Sequence, residues 1–124
     1  MPPSVLIVSR SLDHQGGVVN LVRILLSHFQ NPNVTHFVVG RTVSETGIAA
    51  AISPLRDNLR LALKLATSRV DVVHLNPSFN RTALLRDAIL ITTIRALSRA
   101  RVLTFWHGWE LDLSEQVEAS LTSF

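Results

Sequence analysis

"VLIVSRSLDHQGGVVNLVRILLSHF", residues 5–29, holds the unit from which the fold is read. Val5 to Val8 is a short apolar run, mostly β-branched and without polar alternation, the pattern of a strand covered on both faces. The loop from Ser9 to Asn20 closes in Gly16 and Gly17, directly before a helical pattern. Val18, Leu21, Val22, Leu25, Leu26 and Phe29 follow i, i+3, i+4, i+7, i+8 and i+11, one stripe of a helix, with Asn20, Arg23, Ser27 and His28 on the other face. "NPN" at residues 31–33 stops it.

The unit recurs along the chain. "HFVV" (His36 to Val39), "VVHL" (Val72 to Leu75) and "VLTFW" (Val102 to Trp106) read as further strands, likewise covered on both faces. A second helix is expected from about Leu55 to Ser68, with Leu55, Leu59, Ala62, Leu63 and Ala66 as its stripe, Pro54 in its first turn and Asp57 complementing its positive end. A third, from about Thr82 to Ser98, has a wide apolar arc and is expected to be well buried. A short fourth begins near Ser114, with Leu113, Val117 and Leu121 on one face. Thr42 to Ser53 reads as a loop with one helical turn around Ile48 to Ile52. Strands alternating with helices predict an α/β fold: a Rossmann-like, doubly wound parallel sheet of about four strands, with right-handed crossovers and helices on both faces. The 124 residues form one domain, 1–124.

Composition excludes several classes. At 47% hydrophobic and 17% charged, the chain is not disordered. Without cysteine there is no disulfide framework, thiolate metal site or cysteine nucleophile, which fits a reducing compartment. The formal charge is only +3, Lys64 is the one lysine, and the arginines are scattered with few aromatics between them, so no nucleic-acid partner is expected. "ALLRDAILITTIRAL" is interrupted by Arg86, Asp87 and Arg95, which argues against a membrane span, and "MPPSVLIVSR" lacks the basic start and apolar length of a signal peptide. A cytoplasmic protein is expected, with contact to the inner surface of a membrane left open. His14, His28, His36, His74 and His107 show no metal-ligand spacing, so no metal is assigned. "VSRSL" is not a nucleophile elbow, and the first loop is neither G-x-G-x-x-G nor a P-loop.

In a parallel sheet, ligands gather at the strand carboxyl ends. The first loop there ends in Gly16 and Gly17, which admit a ligand close to the backbone, with the free N–H groups of a helix start behind them; its plain reading is a flexible loop with a glycine helix start. The second, "HLNPSFNR" (74–81), offers Asn76 and Ser78 to a polyhydroxylated substrate, with Asn80 as a helix cap; its plain reading is a turn of good turn-formers. His74, inside the strand, reads as a core histidine. The third, "HGWEL" (107–111), ends the fourth strand on His107, an imidazole that donates or accepts near neutral pH. Gly108 permits a tight exit, Trp109 offers a flat face for a sugar ring, and Glu110 accepts hydrogen bonds or acts as a base. Against this stands a core Trp109, a turn at Gly108 and a solvated Glu110.

In order and spacing, "VLIVSRSLDHQGGVVNLVRILLSHF", "DVVHLNPSFN" and "VLTFWHGWE" together resemble the N-terminal half of GT-B glycosyltransferases, specifically glycosyltransferase family 4. The resemblance spans nearly the whole chain and rests on Gly16 and Gly17, Asp71 to His74, and His107 with Gly108. It implies an acceptor-side domain facing a donor domain across a cleft, and retaining transfer from a nucleotide-sugar co-substrate to a sugar or lipid-linked acceptor, without cofactor or required metal. Gly16 and Gly17 would approach the donor phosphates, His107 would be the catalytic residue lining the cleft, and Asn76, Ser78, Trp109 and Glu110 would shape the acceptor pocket. The sequence stops at Phe124, short of the paired-glutamate donor domain, so activity is expected to need that C-terminal partner. Two rivals are a non-catalytic α/β interaction module using an open sheet edge, and a nucleotide-binding regulator, the latter weakened because Asp13 is the only acid after the first strand.

Overall fold

A computed structural model describes residues 2–29, 32–40, 44, 46–79, 81–109, 115–116 and 118–120. In chain order the elements are β1 (Val5–Ser9), α1 (Gly17–His28), β2 (Val34–Val38), α2 (Gly47–Thr67), β3 (Val72–Leu75), β4 (Ser78–Phe79), α3 (Arg81–Leu97), β5 (Arg101–Thr104) and β6 (His107–Trp109). The main sheet has the order β2-β1-β3-β5 and every pairing in it is parallel. Val5 of β1 lies opposite Val34 on one side and Val72 on the other, and Val72 opposite Arg101. The α/β class, the parallel sheet and its four strands agree with the sequence reading.

Right-handed crossovers decide where the helices go. β1 to β2 steps one way across the sheet, and β2 to β3 steps back past β1, which puts α1 and α2 on opposite faces. β3 to β5 continues in the second direction, so α3 joins α2, and the two helices pack together. The main core lies beneath that pair: Leu6, Val8, Val73 and Leu75 of the sheet meet Leu61 and Leu65 of α2 and Leu90 and Ile94 of α3. On the other face lies α1; its Val19 and Val22 are buried, as is Ile7 of β1.

Several expectations are corrected. β5 is the outer strand of the sheet, with Arg101 and Leu103 exposed, and Phe105 and Trp106 beyond it exposed as well, so the fourth apolar run is not covered on both faces. In α3 only one side is buried, through Ala83, Asp87, Leu90 and Ile94, while Leu85, Ile89 and Leu97 are exposed. Residues 115–116 and 118–120 are helical and exposed; Leu113, Val117 and Leu121, the expected face of a fourth helix, lie outside the described residues.

The largest correction concerns α2, which starts at Gly47 and carries Pro54 in its interior rather than its first turn. Proline has no N–H to give the carbonyl four residues back. The buried Ser53 hydroxyl donates to that carbonyl, Ala50 O, at 2.9 Å, so the polar group is satisfied. The inward side of α2 is Ser53, Asp57, Leu61 and Leu65, whereas Leu55, Leu59 and Leu63 point outward. Asp57 therefore does not sit at a helix start. Its carboxylate is 1% exposed and accepts the backbone N–H of Gly40 just after β2. It also accepts Arg56 Nε at 3.3 Å and lies 3.6 Å from Arg60, whose guanidinium stacks 5.2 Å above the ring of Phe37. One buried carboxylate thus ties α2 to the end of β2.

Asp57→Ala strands the half-buried Gly40 N–H and removes the partner of two arginines, and should lower the unfolding free energy by about 2–3 kcal/mol in urea denaturation. Leu55→Ser, on the outward side of the same helix, should stay within about 0.5 kcal/mol.

Candidate functional site

The ladder between β3 and β5 is interrupted and then resumes. Phe105 N–H donates to Leu75 O and His107 N–H to Pro77 O, both at 2.9 Å. Pro77 has no donor to return, and beyond the break β4 and β6 pair in parallel as a second, two-stranded sheet. Ser78 lies opposite His107, and Phe79 opposite Trp109, with an irregular step between the two pairs. Gly108 takes φ +64 at this step, a conformation that only glycine enters without strain. His107 is therefore held in a strand, not in the loop that its position suggested.

Asn76 links this extension to the centre of the sheet. Its backbone N–H and its side-chain Nδ2 both donate to Val8 O at 3.3 Å. With Nδ2 so placed, Oδ1 faces His107 Nε2 across 3.4 Å. The acceptor character of Oδ1 assigns the ring proton to Nε2 and leaves Nδ1 as an acceptor. Burial lowers the pKa of His107, so the neutral ring is favoured. The same burial lowers His74, and repulsion from a charged His107 adds to it. His36 is likewise lowered by burial, and its Nε2 meets Ser9 Oγ at 2.8 Å.

Asn76 also lines a crevice of about 160 Å³ above the carboxyl ends of β1 and β3, where α1 and α3 leave on opposite faces. The walls include Ser9, Arg10, His14, Gly16, Gly17, Arg86 and Asp87. Gly16 precedes α1 at φ 144, and no side chain caps the helix or adds an acid to its first turn. A Cβ placed on Gly16 or Gly17 would meet nothing within 4 Å, so both glycines keep open the space in front of the helix start. Arg86 arrives from the second turn of α3, and its Nε and Nη2 form a two-pronged pair with the buried Asp87 at 2.8 and 3.0 Å. A Cβ on Gly40 would stand 3.9 Å from Arg86 Nη1 and 3.9 Å from Arg10 Cγ, which places both arginine side chains beside the same turn. Helix N–H groups and guanidinium groups in one crevice favour an anion. The volume is below the roughly 300–1,000 Å³ of complete small-molecule sites, so the crevice suits one anionic portion of a larger ligand.

Of the residues singled out from sequence, Gly16, Gly17 and Asn76 line the crevice and His107 reaches it through Asn76. Ser78 is half-buried opposite His107 and does not line the crevice. The backbone of Trp109 lies in β6, and Glu110 is outside the described residues. Arg10, His14, Arg86 and Asp87 escaped the sequence reading. The signal for the last two was an Arg-Asp pair set among apolar residues in "ALLRDAIL". No group of acids and histidines suited to a metal ion occurs among the described residues. No protein-family model, no curated protein and no solved structure matches the chain.

Inorganic pyrophosphate should shift the backbone amide resonances of Gly17 and Val18 in an NMR titration. Gly17→Ala, whose backbone tolerates a side chain and whose added Cβ would meet no protein atom within 4 Å, should leave the fold intact and weaken that binding by standing between the anion and the helix N–H groups. Gly16→Ala should instead cost about 1–3 kcal/mol of stability through its φ. The lowered pKa values of His36, His74 and His107 make stability complete above the ordinary histidine value of 6.5 and progressively lost as pH falls through their folded values. The melting temperature should therefore be flat from about pH 7 to 8 and decline towards pH 5, less steeply in His74→Leu.

Proposed function

We propose that the chain is the acceptor-side portion of a retaining GT-B glycosyltransferase similar to family 4, using a nucleotide-sugar donor held by a second α/β domain. The observation that carries this reading is the meeting on one rim of Gly16 and Gly17, Asn76 and His107, three segments far apart in sequence. In the proposed cleft the open start of α1, with Arg10 and Arg86 beside it, faces the leaving diphosphate. Charge builds on that group as the glycosidic bond to the donor breaks, and fixed N–H dipoles and guanidinium groups lower the barrier most where charge develops. His107, neutral and oriented by Asn76, presents Nδ1 to a hydroxyl of the transferred sugar. Asn76 and Ser78 border the acceptor.

A second reading, a non-catalytic interaction module, draws support from the open outer edge of β5 and the exposed Leu103, Phe105 and Trp106. Turnover separates the two. With its donor-binding domain present, the protein should release nucleoside diphosphate from one member of a nucleotide-sugar panel when acceptor is added. His107→Ala should reduce that rate about a hundredfold or more while the melting temperature stays within a few degrees. Turnover that survives the substitution, or its complete absence across the panel, sinks the transferase reading and leaves the interaction module.

A further inference from the structure

The outward side of α2 carries an apolar stripe that stays exposed among the described residues. Ile48, Ile52, Leu55, Leu59 and Leu63 follow i, i+4, i+7, i+11 and i+15, and Ile48, Leu55 and Leu59 are 81%, 73% and 61% exposed. At 1.5 Å per residue the stripe is about 22 Å long. Ile89 on α3 is exposed across a shallow groove lined also by Ala51, Pro54, Leu55, Asn58, Arg86 and Leu90, and Leu85, one turn earlier on α3, is exposed as well. Exposed apolar surface of this extent marks a contact site.

The charges around it select the occupant. α2 and α3 contain one acid each, Asp57 and Asp87, and both are buried and paired with a neighbouring arginine. The solvent-facing charge of this helical layer is therefore wholly positive. Arg56, Arg60 and Lys64 run at i, i+4 and i+8 along one flank of the stripe, and Arg95 is exposed on α3. The patch is built of isoleucine and leucine, without the aromatic and methionine anchors that enrich protein–protein contacts. A second copy docked antiparallel on the stripe would set the Arg56–Lys64 flank against itself. An apolar face bordered by arginine and lysine is the design of a helix lying in a bilayer interface. Among the described residues no helix is long and apolar enough to cross a membrane, so the contact is a surface one.

We propose that the outward face of α2, extended by Leu85 and Ile89 of α3, docks on an anionic lipid surface. This does not rest on the sugar-transfer reading: it uses different residues, and α2 would bind lipid whatever the crevice does. Burial of the leucine and isoleucine side chains holds the helix at the acyl boundary, while the basic flank is attracted to lipid phosphates.

The test is co-sedimentation of the chain with vesicles of mixed phosphatidylglycerol and phosphatidylcholine, against phosphatidylcholine alone. The chain should partition onto the mixed vesicles, less so as salt rises, and barely onto the zwitterionic ones. The double variant Leu55→Ser/Leu59→Ser should weaken partition more than tenfold with an unchanged melting temperature, because both side chains are exposed. Lys64→Gln should weaken it about fivefold, the effect of about one basic residue near a charged surface. No partition onto the mixed vesicles, or partition that the double variant leaves intact, overturns the proposal. So does a concentration-dependent dimer in light scattering that the double variant abolishes, which would give the face to a second copy.

Discussion

β1 is hydrogen-bonded in parallel on both sides, to β2 from Val5 opposite Val34 through Ser9 opposite Val38, and to β3 from Val5 opposite Val72 through Val8 opposite Leu75. Because its two neighbours run in its own direction, every exit from the sheet lies on one rim. Because the chain reaches those neighbours by opposite steps, α1 and α3 leave that rim on opposite faces, and a crevice must open between their first turns. Val8 O, at the end of β1, accepts both donors of Asn76, so the strand that organises the sheet also fixes the residue that reaches His107. Anion crevice and imidazole are consequences of one pairing pattern.

Two buried carboxylates do comparable jobs at the two helices of the thicker layer. Asp57 holds the end of β2 through Gly40, and Asp87 holds Arg86 at the crevice wall. A carboxylate removed from water is costly unless charge and hydrogen bonds offset the loss, and in both cases the adjacent arginine supplies them. The arrangement fixes guanidinium positions as well as carboxylates. With Nε and Nη2 of Arg86 engaged by Asp87, the group has little rotational freedom left, which favours binding of a planar or tetrahedral anion over loose attraction.

The strands and the order of elements were legible because β-branched runs and helical stripes are strong local signals. β1, α1, β3 and α3 lie within a residue or two of where the pattern puts them. What periodicity cannot state is which side of an amphipathic helix faces the core. In α2 the more hydrophobic side, Leu55, Leu59 and Leu63, looks outward, and the inward side includes Ser53, whose hydroxyl bonds back to Ala50 O in the same helix, and Asp57, which gains Gly40 N–H only in the folded protein. A pattern rule scores those two as exposed. Pro54 reinforced the error by suggesting a helix start, when the Ser53 hydroxyl makes an interior proline tolerable. β4 and β6 are too short to show a period, and Arg86 joined the crevice through folding from a helix that sequence marked only as apolar. At the site, the glycines, Asn76 and His107 were legible from loop position, while the arginine and histidine walls were not.

The interior proline has a mechanical consequence. Main-chain hydrogen bonding along α2 is continuous on either side of Pro54 but is bridged at that point by a side-chain hydroxyl. Residues ahead of the bridge are mostly exposed, and they lack the buried leucines that anchor the remainder. The first two turns are thus an independently opening segment, able to unwind and rewind while the sheet stays intact. Amide protons before the proline will exchange with solvent through this local opening, and those after Leu61 only when the domain itself comes apart.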